Sequence, residues 1–200
     1  MATRAYRPRT RSRKAEATRA RIKSAVRDLL ADGTFHRATM EEVADRAGVS
    51  RATLYQHFRS RLDLIDAVCE TFAENPALRE LRELVVDPDP EVALDRTVAS
   101  SVRFWASEDA VLAQLYGVAA IDPAAQDLVD RQRADRRSEL ERLVRNLEGA
   151  DRLRPSARRA LGLLLVLTSY ETFQELRQAG LSARQVSATL RETARELILS

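Results

Sequence analysis

The residues best suited to chemistry in this chain lie in one short stretch, TMEEVADRAGVSRATLYQHFRSR, which runs from Thr39 to Arg61. Its second half carries arginine, threonine, tyrosine, glutamine and histidine between positions 51 and 57. These side chains supply hydrogen-bond donors and acceptors, and an arginine can bond two atoms of a guanine edge together. A helix that only packed on a core would not need so many polar groups. The stretch therefore indicates a surface that binds a polar partner.

Local signals divide this stretch into two short helices. Thr39 is placed to cap the first helix, with Glu42 three residues later as in a capping box. Gly48 supplies the positive φ that ends this helix, and Ser50 is placed to cap the second one. Two helices joined by a short turn that contains glycine form a helix-turn-helix, here at about residues 39–58, whose second helix can enter the major groove of DNA.

The distribution of charge favours the same class of partner. Residues 1–62 hold 15 Arg or Lys against 6 Asp or Glu, whereas residues 63–200 hold 18 against 24. A basic head on an acidic body indicates a polyanion as the partner of the head, with nucleic acid first and an anionic membrane surface second. The apolar run at 161–167 is too short to span a bilayer, which takes about 20 residues, and Cys69 is the single cysteine. We therefore expect a cytoplasmic protein without membrane association.

The chain pattern predicts an all-α fold. Residues 1–13 have no apolar periodicity, so a basic disordered arm is expected before a DNA-binding domain at 14–62 and a helical body at 63–200. No stretch alternates as a strand does. Proline and glycine positions place the helices of the body near 76–86, 90–106, 108–119, 123–148, 156–179 and 182–199.

The run from Thr18 to Val68 resembles the DNA-binding domain of TetR-family transcriptional regulators. The features that carry the resemblance are T-x-x-x-V-A-x-x-A-G-V-S, which begins at Thr39, and L-Y-x-H-F-x-S, which begins at Leu54. The resemblance implies a three-helix DNA-binding head, and a body that binds a small molecule and forms a homodimer. The function that it implies is a repressor released from a palindromic operator by that ligand.

The resemblance also assigns roles to residues of the head. It implies backbone phosphate contacts for Thr39, Tyr55, His57 and Arg61, the last of these standing where lysine is usual. It implies base contacts for Arg51, Ala52, Thr53 and Gln56, of which Arg51 is the best candidate reader of guanine. Ser50 belongs to the same surface, although its position favours an N-cap over a base contact. Packing for Tyr55 and a helix cap for His57 remain open, and Ala52 replaces a frequent glycine.

The body carries no recognisable catalytic motif, so we expect neither an enzyme nor a cofactor or metal site. Aromatic and polar residues that could line a cavity for the ligand are Phe104, Trp105, Tyr116, Thr168, Tyr170 and Phe173. Ordinary core packing is the alternative for each of them. An enzyme or ligand carrier with a basic localising head is the alternative for the whole chain.

The last two predicted helices carry more apolar surface than one small body would be expected to hide. A four-helix bundle with a symmetry mate would cover it. The candidate interface residues are Leu161, Leu165, Thr172, Leu176, Val186, Leu190, Ala194 and Leu197.

Overall fold

The computed structural model describes residues 8–84, 87 and 89–200, and most of them are helical. Within these ranges there is no strand, only an isolated bridge between Leu153 and Leu199. The helices are α1 (Pro8–Ala31), α2 (Met40–Arg46), α3 (Arg51–His57), α4 (Arg61–Phe72), α5 (Pro76–Leu84), α6 (Pro90–Ala119), α7 (Pro123–Gly149), α8 (Ala157–Leu167), α9 (Tyr170–Gln178) and α10 (Ala183–Ile198). None of the helices described is long and apolar enough to span a membrane. The all-α prediction is confirmed.

The first helix begins earlier than the sequence predicted. Helix α1 starts at Pro8, so residues 8–13 are helical where a disordered arm was expected. Proline is well suited to the first turn of a helix because the N–H that it lacks would have no intrahelical partner there. The rest of the expected arm, residues 1–7, lies outside the described residues.

One predicted helix boundary in the body is absent. Helix α6 runs without interruption from Pro90 to Ala119, where the sequence predicted two helices that meet at residue 107. The hydroxyl of Ser107 donates to the carbonyl oxygen of Phe104, 2.9 Å away, instead of capping a new helix. A serine that bonds back to the preceding turn leaves the helix intact.

A second boundary is present where the sequence predicted one helix, at 156–179. Helix α8 ends at Leu167, and the Ser169 hydroxyl caps α9 by accepting the Thr172 N–H at 3.0 Å. The carbonyl oxygens freed by this break find partners on other helices. That of Thr168 accepts the Trp105 indole N–H at 3.1 Å, and that of Leu165 accepts from Arg136 Nη1 at 3.2 Å. Both of these backbone groups are therefore hydrogen-bonded, as backbone groups inside proteins normally are.

The helices divide into two compact units. The N-terminal unit consists of Met1–Thr71 with Ala113–Gln126, described from residue 8, and the C-terminal unit of Phe72–Leu112 with Asp127–Ser200. The predicted boundary between head and body, at 62, therefore falls too early, because most of α4 belongs to the N-terminal unit. Fully buried side chains at the centre of that unit include Ile22, Leu30, Phe35, Leu54, Phe58 and Leu64.

Candidate nucleic-acid interface

Helix α2 starts with the capping box that the sequence predicted. The Thr39 hydroxyl accepts the Glu42 N–H at 3.2 Å, and the Glu42 carboxylate accepts the Thr39 N–H at 2.6 Å. These hydrogen bonds, the one from the Thr39 backbone first, lower the pKa of Glu42. The start of α2 is thus fixed by its own residues. The Thr39 side chain lies at the surface, and its hydroxyl can still donate a hydrogen bond.

A tight turn links α2 to α3. Gly48 has a φ of 62°, the left-handed conformation that glycine adopts without steric cost. The Val49 N–H then donates to the Ala44 carbonyl oxygen at 3.0 Å, and the Ser50 hydroxyl caps α3 by accepting the Thr53 N–H at 3.1 Å. The predicted glycine turn and both predicted caps are confirmed, and α2 packs against α3 as a helix-turn-helix.

Helix α3 separates an inner face from an outer one. Leu54 and the following Phe58 are buried, with 0% and 2% of their surface exposed. Arg51, Ala52, Tyr55 and Gln56 are exposed, while Thr53 and His57 are half-buried. The structure therefore brings all six predicted DNA-binding residues of this helix together, and four of them are open to solvent.

Two neighbouring side chains on the outer face contact each other. The guanidinium carbon of Arg51 lies 5.6 Å from the centroid of the Tyr55 ring, one turn later. A cation at this distance from an aromatic face is attracted to it. Tyr55 is 41% exposed, so core packing is not its main role. Its ring restrains the arginine while leaving the guanidinium edge available to a partner.

Arg61 is placed differently from the phosphate contact that the sequence predicted. Its terminal nitrogens Nη1 and Nη2 donate to the carbonyl oxygens of Ala38 and Phe35, each at 2.5 Å. Its guanidinium also lies 4.7 Å from the centroid of the Phe35 ring, and the side chain is half-buried. Both terminal nitrogens thus face the segment before α2, which is a poor geometry for binding phosphate.

Asp63 is a structural residue that sequence reasoning missed. Its carboxylate accepts the Arg59 N–H at 2.8 Å and the Ser60 hydroxyl at 2.9 Å, and Ser60 Oγ accepts the Asp63 N–H at 3.1 Å. The bonds from the Arg59 N–H and the Ser60 hydroxyl lower the pKa of Asp63. A serine followed three residues later by an acid was the available signal.

Comparisons with known proteins connect this geometry to a family. The family model described as bacterial regulatory proteins, tetR family, matches residues 22–68. The transcriptional activator FasR of Mycolicibacterium smegmatis is 44% identical over 57 residues, which is 28% of this chain and 26% of FasR. The TetR-family regulator PfmR of Thermus thermophilus superposes with a TM-score of 0.70 at 17% identity, over 88% of this chain and 97% of PfmR. Residues 22–68 therefore form a segment of the tetR-family type.

The fold extends beyond the segment that is similar in sequence. The triclosan complex of SmeT has a TM-score of 0.71 at 16% identity and covers 92% of each chain. Because the sequence match to FasR spans about a quarter of that relative, it concerns the DNA-binding segment, and the structural matches carry the fold of the rest.

The C-terminal unit brings five of the six predicted ligand-binding residues into one packed cluster. Trp105 contacts Phe104 and Tyr170 at ring-centroid distances of 4.8 and 5.6 Å, and Tyr170 stacks on Phe173 at 6.2 Å. Thr168 joins them through the hydrogen bond to Trp105. All five are buried, whereas Tyr116 belongs to the other unit. This packing matches the alternative of ordinary core.

Three of the predicted dimer residues are buried inside the protomer itself. Val186, Leu190 and Ala194 are 0%, 4% and 0% exposed, because this face of α10 packs within its own unit. They cannot form the exposed surface that was expected of them. Leu197 is 40% exposed, and the half-buried candidates are Leu161, Leu165, Thr172 and Leu176. A residue that the sequence prediction omitted, Val166 on α8, is 61% exposed.

Proposed function

We propose that this TetR-family chain is a transcriptional regulator that binds operator DNA through α3. The observation that carries the proposal is the outer face of that helix. It presents Arg51, Tyr55 and Gln56 to solvent on a helix-turn-helix whose two helices are fixed by side-chain caps. A helix of this kind fits the major groove, where base edges carry a readable pattern of donors and acceptors.

The side chains of this surface have different roles. Arg51, with Ala52, Thr53 and Gln56 beside it, reads base edges, and the Tyr55 ring holds the Arg51 guanidinium in place before DNA arrives. Thr39, Tyr55 and His57 bind backbone phosphates, which position the helix but carry no sequence information. Ser50 serves mainly as the cap of α3. Arg61 acts indirectly, since it holds the segment from Phe35 to Ala38 immediately before Thr39.

The protein acts as a two-fold dimer on an inverted repeat. Val166 on α8 and Leu197 on α10 are exposed apolar side chains on helices that pack side by side. Gly162 lies one turn before Val166, and a Cβ there would have no neighbour within 4 Å, so this part of α8 is open to close approach. A second copy covers this surface, and DNA symmetry then mirrors protein symmetry. Leu161, Leu165, Thr172 and Leu176 border the same surface.

A small molecule regulates DNA binding through the C-terminal unit. The SmeT complex contains triclosan, which supports ligand binding by a body of this fold. We infer that ligand and operator oppose each other, so that the protein represses until the ligand releases it, with a coupling of about 1–3 kcal/mol. The chain is a binding protein rather than an enzyme, and it acts in the cytoplasm.

A gel-shift experiment tests the proposal directly. Purified full-length protein is incubated at physiological salt with fragments that tile the DNA upstream of its own gene and of the adjacent genes. We expect at least one fragment to be retained in the presence of excess random duplex, and footprinting to show an inverted repeat there. Equal competition by random duplex on every fragment, followed by failure to select any site from the whole genome, would contradict the proposal.

A further inference from the structure

A small cavity lies inside the C-terminal unit, where α5, α6 and α7 meet. The cavity volume open to the centre of a water molecule is about 10 Å³, which is enough for about one water. Leu81 and Leu140 form its apolar wall, and four polar side chains complete the lining: Thr97 and Ser101 on α6, and Arg136 and Glu139 on α7. None of the aromatic residues discussed above lines it.

One of the lining hydroxyls has no hydrogen-bond partner among the residues that the structure describes. Thr97 is 3% exposed, and its Oγ1 makes no hydrogen bond. The Ser101 hydroxyl, one turn later, donates to the Thr97 carbonyl oxygen at 2.9 Å, which leaves its own lone pairs able to accept. A buried hydroxyl that makes no hydrogen bond destabilises the folded state. The cavity therefore holds a polar atom that a bound group would stabilise.

Arginine side chains lie in and near the cavity. Arg136 lines it, Arg82 lies 3.8 Å from the Glu139 carboxylate, and Arg142 acts on the same carboxylate electrostatically. Against these three cations stand Glu139 and Asp135. Burial raises the pKa of Glu139, with Arg82 and Arg142 opposing this effect and Asp135 adding to it. A guanidinium is a strong hydrogen-bond donor to a carboxylate, and the Thr97 hydroxyl in the same cavity is a second donor.

The same arginine connects the cavity to the break between α8 and α9. Arg136 Nη1 donates to the Leu165 carbonyl oxygen at 3.2 Å and to the Thr168 hydroxyl at 3.4 Å. Thr168 in turn accepts from the Trp105 indole through its carbonyl oxygen. A group that draws Arg136 into the cavity weakens the bonds that hold this break, and it also changes the surroundings of the only tryptophan in the sequence.

We propose that this cavity receives the head group of the effector, and that the effector is an organic anion, most simply a carboxylate. The inference rests on the proposed ligand-responsive function and names the chemical class of its ligand. The carboxylate accepts hydrogen bonds from Arg136 and from the Thr97 hydroxyl. Because the cavity holds about one water, its lining side chains must move apart as the head group enters.

The test compares three probes that share a tail and differ only in the head group: octanoate, 1-octanol and octyltrimethylammonium. Each is titrated into the full-length protein without DNA, and both the Tm and the Trp105 fluorescence are recorded. We expect octanoate to raise the Tm and change the fluorescence in a saturable manner, and the other two probes to have little effect. Stabilisation by octyltrimethylammonium alone, or by no probe at millimolar concentration, would overturn the proposal.

Two variants locate the site. Thr97→Val removes the hydroxyl at nearly constant volume, so the free protein should be at least as stable as the wild type while octanoate binds about tenfold more weakly. Arg136→Gln should abolish the response, whereas the control Arg137→Gln, an exposed neighbour paired with Glu141, should preserve it. Unchanged octanoate affinity in Thr97→Val shows that binding occurs elsewhere and contradicts the proposal.

Operator binding is measured separately from ligand binding. If the wild type binds octanoate but no DNA fragment, the proposed regulatory function fails and the ligand site stands. If it binds an operator but no anion, the regulatory function stands and the ligand class is wrong.

Discussion

Arg61 Nη2 donates to the carbonyl oxygen of Phe35 at 2.5 Å, and the Arg61 guanidinium lies 4.7 Å from the ring centroid of the same residue. One side chain thus holds both the backbone and the ring of Phe35, and Phe35 is fully buried. A lysine could not hold two carbonyl oxygens and a ring in this way, because its ammonium is a single point charge. Arg61 therefore joins the start of α4 to the segment that precedes α2.

Arg61→Gln should consequently act on stability more than on phosphate binding. We expect a loss of about 1.5–3 kcal/mol in the free energy of unfolding, since the lost bonds involve a charged donor. The slope of log K against log salt should stay constant, whereas loss of one phosphate contact would reduce it by about 0.9. Urea unfolding and DNA titrations at several salt concentrations measure the two effects. Arg59→Gln, an exposed neighbour, serves as the control for stability.

Asp63 should make the N-terminal unit sensitive to acid. The pKa of its carboxyl is lowered by hydrogen bonds from the Arg59 N–H and the Ser60 hydroxyl. A carboxyl whose pKa is lower in the folded state than in the unfolded state, where it is near 3.8, stabilises the fold above that pH. This stabilisation is lost as the pH falls through the folded-state pKa. Asp63→Asn should lose part of this stability at pH 7 and show a shallower decline below pH 4. The stability of Asp63→Asn should therefore approach that of the wild type as the pH falls. Glu74→Gln is the exposed control, and its unfolding is measured over the same pH range.

Val166→Arg should dissociate the proposed dimer without unfolding the protomer. The side chain is 61% exposed in the protomer, so an arginine fits there in a monomer but would be an unpaired charge between two copies. Sedimentation should show monomers with native helical content by circular dichroism. Leu190→Arg is the contrasting variant, because Leu190 is 4% exposed and a charge there should destabilise the protomer itself. A Val166→Arg protein that remains dimeric would place the interface elsewhere.

Sequence predicted the parts of this molecule that local interactions determine. The Thr39–Glu42 capping box, the Gly48 turn and the Ser50 cap are complete within a few residues, so their pattern alone indicates the geometry. The break between α8 and α9 could not be predicted in the same way. Its free carbonyl oxygens are satisfied by Trp105 and Arg136, which come from distant parts of the chain.

The roles of single side chains were harder to predict than the elements that carry them. The apolar spacing of Val186, Leu190 and Ala194 identifies a buried face, but periodicity does not reveal whether the same chain or a second copy covers it. Similarly, the positive charge of the residue at position 61 is compatible with a phosphate contact. Only the positions of the Phe35 and Ala38 carbonyl oxygens show where its donors are directed.

The central claim is that the outer face of α3 reads DNA sequence, and Arg51→Ala tests it most directly. The Kd is measured for three proteins: the wild type, Arg51→Ala and the control Arg137→Ala. Each protein is titrated with the retained operator fragment and with a random duplex at one salt concentration. We predict that Arg51→Ala loses about 1–3 kcal/mol on the operator and much less on the random duplex, with Arg137→Ala unchanged on both. An equal loss on the two duplexes, or no loss on the operator, would contradict the account.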